Sequence, residues 1–296
     1  MIYTCTTNPS LDYYIALHDV EVGIDNRSLA ENYEAGGKGV NVSIVLNNFC
    51  IPSTCLGFLG GFTKEYYLSF LTKYPNIQPL FTTIKDNTRI NLKIMDDRYE
   101  TGINARGPVI TDEEFEKFRT RLLNIYNGDI FVLSGNIEDE IKDKMIDLVH
   151  ELVKDGVKVI LDTDRSIMDR CLDTELFAVK LNDNNRDTGT DIKEYGKSLV
   201  EKGVRYVLYS APDQDSYIFS EDCCLTYRND TEKHGNATGS ADSMVAGFIY
   251  GVIRAADTVE SFRYANAASI ANTMSEGMGS REEIEKVFDT IEVTTI

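Results

Sequence analysis

Six short apolar runs spread along the chain set the strongest limit on its fold: Ile2 to Thr6, Ser53 to Gly60, Ile130 to Ser134, Val157 to Asp162, Phe177 to Asn182 and Tyr206 to Ser210. Runs of this length, without polar alternation, predict strands covered on both faces. Amphipathic helical stretches lie between them. The clearest begins at Thr111, where Glu114 three residues on makes a capping box; Phe115, Phe118, Leu122 and Leu123 then share one face before Gly128 ends the segment. This alternation predicts an α/β fold, a doubly wound and mostly parallel sheet flanked by helices.

Two stretches break the alternation. Tyr13 to Ala16 with Arg27 to Glu34, and Ile90 to Met95 with Tyr99 to Ala105, read as paired short strands. They predict a small β appendage, discontinuous in sequence and formed by about 12–17, 27–35 and 89–106, on a single domain spanning 1–296. There is no internal repeat, low-complexity segment or linker to divide the chain further.

Two glycine-rich turns feed helices. Gly36-Gly37-Lys38-Gly39 precedes a run in which Val42, Val45 and Leu46 recur at helical spacing. Glycines let backbone approach a ligand, and Lys38 supplies a mobile cation, yet the pattern is neither a P-loop nor a dinucleotide fingerprint. Gly239-Ser240-Ala241-Asp242, before the small and apolar run Ser243 to Ile249, places a carboxylate in the first turn of a buried helix. Unpaired N–H groups there favour an anion, and the carboxylate could accept a proton from an attacking hydroxyl. The alternative is a core helix whose Asp242 only complements the dipole.

Composition restricts the partners. With 296 residues, 42% hydrophobic and 26% charged, the chain can bury one large core. A formal net charge of −18 argues against nucleic-acid or anionic-membrane binding. No apolar stretch approaches the roughly 20 residues that cross a bilayer, and Met1-Ile2-Tyr3-Thr4 starts as a strand rather than a signal peptide, so a cytoplasmic enzyme is expected. Six cysteines without C-x-x-C spacing, and only three histidines, read as reduced thiols rather than a zinc site. Any phosphate ligand must therefore find a local positive pocket, for which Arg27, Lys38 and Arg89 are the candidates.

The ordered set Thr6-Thr7-Asn8-Pro9-Ser10-Leu11-Asp12, Asn26-Arg27, Gly36 to Val42, Leu56 to Thr63, Thr88-Arg89-Ile90-Asn91, Val132-Leu133-Ser134-Gly135 and Asp242 to Phe248 resembles the PfkB (ribokinase-like) sugar kinases over essentially the whole chain. Gly60-Gly61-Phe62-Thr63 and Thr88-Arg89-Ile90-Asn91 are most similar to the branch acting on fructose 1-phosphate, with the tagatose 6-phosphate branch next. The resemblance implies a ribokinase-like fold with a β lid that excludes water, pairing of lids in a homodimer, and ATP with Mg²⁺. It implies that Asp12 binds sugar hydroxyls, that Gly36, Gly37 and Asn41 line the sugar, and that Arg89 grips the acceptor phosphate with Lys38 and Arg27, the latter from a partner subunit. Asp242 is then the general base, with Gly239, Ser240 and Ala241 forming the anion hole and Asn182 and Ser210 on the nucleotide side.

Departures from the family pattern fall mostly on that nucleotide side. Ala241 replaces a glycine, and a left-handed conformation there would cost roughly 1–2 kcal/mol. Asn182-Asp183-Asn184-Asn185 replaces N-x-x-E, leaving Asp183 or Asp187 as substitutes toward Mg²⁺. Ser210-Ala211-Pro212 replaces S-L-G, Ser134 to Glu140 replaces S-G-S-L-P-P-G, and Asn104 to Pro108 replaces the N-G-P-G-P turn. This erosion keeps a second reading open, a weak or inactive relative that binds a sugar phosphate.

Overall fold

The computed structural model describes residues 1–187, 189–211, 214–228, 238–275 and 277–296. Its elements run β1 (Ile2–Thr6), β2 (Ser10–Ala16), β3 (Ala30–Gly36), α1 (Lys38–Asn48), β4 (Ser53–Gly60), α2 (Gly61–Leu71), β5 (Ile77–Pro79), β6 (Thr82–Ile84), β7 (Arg89–Met95) and β8 (Glu100–Ile103). They continue with α3 (Asp112–Arg121), β9 (Ile130–Ser134), α4 (Lys142–Lys154), β10 (Lys158–Asp162), α5 (Arg165–Cys171), β11 (Ala178–Leu181), α6 (Ile192–Glu201), β12 (Tyr206–Tyr209), β13 (Ser216–Phe219) and β14 (Cys224–Tyr227). Helices α7 (Ser240–Ile253), α8 (Thr258–Met274) and α9 (Arg281–Phe288) precede a last short strand, β15 (Thr294–Thr295).

Eleven strands share one sheet in the order β15-β14-β13-β12-β11-β10-β9-β1-β4-β5, with β6 also on β4. From β4 to β12 the pairing is parallel, and β13 to β15 add an antiparallel edge. Side-chain alternation explains why the central strands are apolar without a break. Ile2, Ile130, Val132, Ile160 and Ala178 pack on one face with α1, α7 and α8, whereas Cys5, Phe131, Leu133, Val159, Leu161 and Val179 pack on the other with α3, α4 and α6. The chain is thus an α/β fold around a mostly parallel sheet.

The capping box at Thr111 forms, with Glu114 as its reciprocal partner. Phe115, Phe118 and Leu122 are buried as the periodicity requires, but Leu123 is 72% exposed. The α-helix ends at Arg121 and tightens into a 3₁₀ turn over Leu122–Asn124, which rotates Leu123 off the apolar face. All six cysteines are free thiols. Among the described residues no helix is long and apolar enough to cross a membrane.

A separate sheet of order β3-β2-β7-β8 stands off the first. Its two hairpin-like pairs are joined by parallel pairing of β2 with β7, which sets Ser10 beside Arg89 and Asp12 beside Asn91. Tyr13 and Tyr33 stack at 4.3 Å across β2 and β3, and Tyr33 meets Tyr66 of α2 edge-on, tying the small sheet to the body. The chain leaves β3 through Gly37, whose φ of 139° is one that side-chain-bearing residues rarely adopt, and enters α1 at once. That turn brings the root of the small sheet to the carboxyl ends of the parallel strands.

Candidate functional site

The register of the parallel strands aligns Asp162 with Ser134. One step beyond the Leu161–Val179 pair, Asp162 stands beside Lys180 on the same face, the face that α1 and α7 cover. Asp162 is 1% exposed and Lys180 0%, so two opposite charges end adjacent buried strands. Lys180 Nζ donates to the Leu181 carbonyl at 2.8 Å. Lys38, the first residue of α1, reaches over the strand ends and places Nζ 3.2 and 3.3 Å from the two Asp162 oxygens. A second carboxylate, Asp242 in the first turn of α7, is 4% exposed and accepts a 2.7 Å hydrogen bond from the Asn41 amide of α1.

The result is a cluster of two cations and two carboxylates, close to neutral as a whole. Burial and the neighbouring Asp162 push the Asp242 carboxyl group up to about 7, while Lys38, the Asn41 hydrogen bond and Lys180 pull in the opposite direction. Burial pushes Lys180 down to about 8 despite the attraction of Asp162 and Asp242. Lys38 moves upward, because Asp162 and Asp242 outweigh its burial. An acid poised near neutrality can both take and release a proton at working pH.

Helix α7 starts at Gly239, which is left-handed at φ 82°, and no side chain caps its free N–H groups. Ala241 is inside the helix and is absent from the positive-φ residues, so the strain expected of it does not arise; Gly239 carries the left-handed turn instead. The Ser240 hydroxyl is turned to α8, where it meets Ser269 Oγ at 2.8 Å. Helix α1 likewise begins without a side-chain cap at Gly37. Two uncapped helix N-termini therefore converge on the Asn41–Asp242 contact, an arrangement suited to anions.

Beside that contact lies a cleft of roughly 150 Å³ lined by Asp12, Gly36, Asn41, Lys73, Tyr74 and Met278 among others. Ser10 Oγ at 2.7 Å and Asn91 Nδ2 at 2.9 Å hold Asp12 Oδ1, so the carboxylate is fixed in place. Gly36 is packed against Asp12: a Cβ there would lie 2.4 Å from Asp12 Oδ2. The Met278 methyl group occupies the space a side chain at Gly239 would need. Asp12, Gly36 and Asn41 thus line one cleft, Asp242 and Gly239 adjoin it through Asn41 and Met278, and Lys38 is directed to Asp162 instead.

The three candidate cations do not converge. Arg89 is at the small sheet's root, where its guanidinium donates to the Ala105 carbonyl at 3.1 Å and the Asn8 carbonyl at 3.0 Å. Burial lowers its pKa, with Asp12 and Glu138 opposing that shift. Arg27 is exposed in the segment between β2 and β3 and has no hydrogen bond or ion pair with a described residue. Lys38 spends much of its charge on Asp162.

On the nucleotide side, Asn182 and Asn185 close their loop on each other: Asn182 N donates to Asn185 Oδ1 at 2.7 Å, and Asn182 Oδ1 accepts from the backbone of Asn184 and Asn185. Asn185 Nδ2 donates to the Thr163 and Lys180 carbonyls, which engages both of its amide N–H groups. Asp183 is held by Arg186, Tyr209 and Gln214, and Asp187 by Gly189, Thr190 and Arg165, so either would share these partners with a metal. Ser210 extends the β12 end beside Lys180, whereas Pro212 lies outside the described residues. The loop after β9 is tied to the end of β1, where Thr7 Oγ1 donates to the Asn136 carbonyl at 3.1 Å, and the Arg89 charge acts on Glu138.

Asp162 and Lys180 escape a motif-based reading, though a lysine inside the apolar run Phe177 to Asn182 was a legible signal, because buried lysines require partners. Residues 6–284 match the pfkB family of carbohydrate kinases. The 1-phosphofructokinase of Bacillus subtilis (strain 168) is 34% identical, with 100% of each chain covered, and that of Borreliella burgdorferi is 33% identical over 100% of this chain and 99% of its own. A crystal structure of a putative phosphofructokinase from Staphylococcus aureus superposes with a TM-score of 0.87 at 31% identity, covering 100% and 99% of the two chains. Motif order, ribokinase-like architecture and a buried aspartate at an uncapped helix start agree with these matches: the chain belongs to the pfkB family of carbohydrate kinases.

Proposed function

We propose that this kinase transfers the γ-phosphoryl group of ATP to a sugar phosphate, with fructose 1-phosphate the acceptor and fructose 1,6-bisphosphate the product. The observation that carries the reading is the Asn41–Asp242 contact at two uncapped helix N-termini beside the Asp12 cleft. Asp12 orients acceptor hydroxyls, and Gly36 and Gly37 let the sugar approach the backbone. Asp242 takes the proton of the attacking hydroxyl. The N–H groups of Ser240 and Ala241, with Lys38, stabilise negative charge as it moves. Arg89 holds the acceptor phosphate in a forked pair of hydrogen bonds.

Bound ATP supplies the phosphoryl group. Among the described residues no three or more His, Cys, Asp or Glu side chains form a metal cage, and Asn185 has both amide N–H groups and one lone pair of Oδ1 engaged within its loop. This donor set fits a Mg²⁺ carried by nucleotide phosphates and waters near Asp162, not one held by protein alone. The small sheet acts as a lid over the cleft. Pairing of two lids in a cytoplasmic homodimer brings in the partner's Arg27.

Coupled ADP release on fructose 1-phosphate, tagatose 6-phosphate and fructose tests the assignment. Turnover is expected to be fastest on fructose 1-phosphate; a preference for tagatose 6-phosphate or fructose overturns the acceptor. Calorimetry showing sugar-phosphate binding without nucleotide binding or turnover would replace the kinase with a sensor.

A further inference from the structure

Around Arg89 several buried polar atoms lack a well-formed hydrogen bond among the described residues: Arg89 Nε, Asn8 Oδ1 and both carboxylate oxygens of Glu138, near which the Thr7 hydroxyl, already donating to Asn136, and the Glu138 backbone N–H are the donors at hand. The unpaired donor and the unpaired acceptor carry opposite charge and act on each other electrostatically without forming an ion pair, so a ligand bonding to both would satisfy each. Thr7, Cys5 of β1, Arg89 of β7 and Glu140 of the same loop are the groups near enough to act on the Glu138 carboxyl group, and Arg106 pairs with Glu140 at 3.9 Å. Arg89 is the only cation acting on Glu138 in that set.

If Arg89 holds the acceptor phosphate, on which this inference rests, a dianion is brought beside a buried carboxylate. Two such anions cannot share one guanidinium without a proton between them. We propose that Glu138 makes acceptor binding proton-coupled: as the sugar phosphate seats on Arg89, one proton from solvent is taken up and held between the Glu138 carboxyl group and a phosphate oxygen. Burial already raises the Glu138 pKa, with Thr7 and Arg89 opposing. A phosphate of second pKa near 6 then raises it further on binding. Glu138 is in this sense a positioning and specificity residue, selecting acceptors whose phosphate can share a hydrogen.

Calorimetric titration of fructose 1-phosphate without nucleotide, in pairs of buffers with different ionisation enthalpies from pH 6 to 9, counts the protons directly. Wild type should take up a fraction of a proton that approaches one on the alkaline side of the Glu138 pKa. Its Kd should rise there by up to tenfold per pH unit. Glu138→Gln should lose that uptake and bind about tenfold more tightly at pH 8.5, while Asp242→Asn should retain it. Zero uptake in wild type overturns the proposal even if Glu138→Gln does not fold. Unchanged uptake in Glu138→Gln overturns it too. A different failure, in which fructose 1-phosphate does not bind or Arg89→Ala leaves its Kd unchanged, removes the phosphate seat and this inference with it.

Discussion

The two charged regions of this molecule are built on opposite terms. At the ends of β10 and β11, Asp162, Lys180 and Asp242 are buried, and with the half-exposed Lys38 they are satisfied within the chain; at the root of the small sheet, Arg89, Asn8 and Glu138 keep open valences. The first is preorganised, so its dipoles and charges need no rearrangement when charge develops. The second is incomplete and gains its partners when a ligand arrives. On the proposed function, the first would supply chemistry and the second recognition. Variants in one region should therefore change kcat, and variants in the other KM.

The sharpest way to break that contrast is Asp242→Asn. Removal of a general base costs on the order of 10²–10⁴-fold in kcat with the fold retained, because Asn41 can still donate to an amide oxygen. Kinetics checked against an unchanged thermal transition would test it; most of the activity remaining would reduce Asp242 to a helix-dipole residue. If Asp242 is the base, its acting form is the carboxylate, whose pKa is pushed up to about 7. The rate should consequently fall as pH drops through about 7, approaching tenfold per unit.

Arg89→Ala comes next. Hydrogen bonds to charged groups contribute about 1.5–3 kcal/mol, so acceptor KM should rise by roughly 10–100-fold with a much smaller change in kcat. Equal losses in kcat and kcat/KM would place Arg89 among the transition-state contacts and dissolve the division. Lys180→Met tests the cluster from its far side. Without that cation Asp242 is pushed further up, so the acid limb of the kcat profile should move to higher pH, with roughly 3–10-fold lost at pH 7 and recovered by pH 8.5. An unmoved limb would mean that Lys180 only fills the sheet.

What could be read from the chain alone follows the same division. β1, β4 and β9 were legible because burial on both faces imposes an unbroken apolar run. The antiparallel edge was not, because β13 and β14 are four residues long, β14 is only partly buried, and their strand character comes from the neighbour they pair with. Asp12, Lys38, Asn41 and Asp242 could be found because each stands at a turn into or near a helix or strand start, where local chemistry is recorded in the motif. The nearness of Glu138 to Arg89 could not, since the two are brought together by the path of the loop after β9. The conformation of Ala241 could not be settled in advance, because replacing a glycine says nothing about which glycine bears the left-handed turn, here Gly239.

That last point yields the smallest expected effect. Were Ala241 strained, glycine would relieve it and Ala241→Gly would stabilise the protein. Ala241 instead has helical geometry just after Gly239, so glycine only adds backbone freedom to the unfolded chain. The substitution should destabilise by about 0.5–1 kcal/mol, toward the lower end because it lies in the first turn. Denaturant midpoints at unchanged slope measure this. A midpoint that rises would locate strain in the anion-binding turn after all, and the preorganised region would then share the unfinished character of the other.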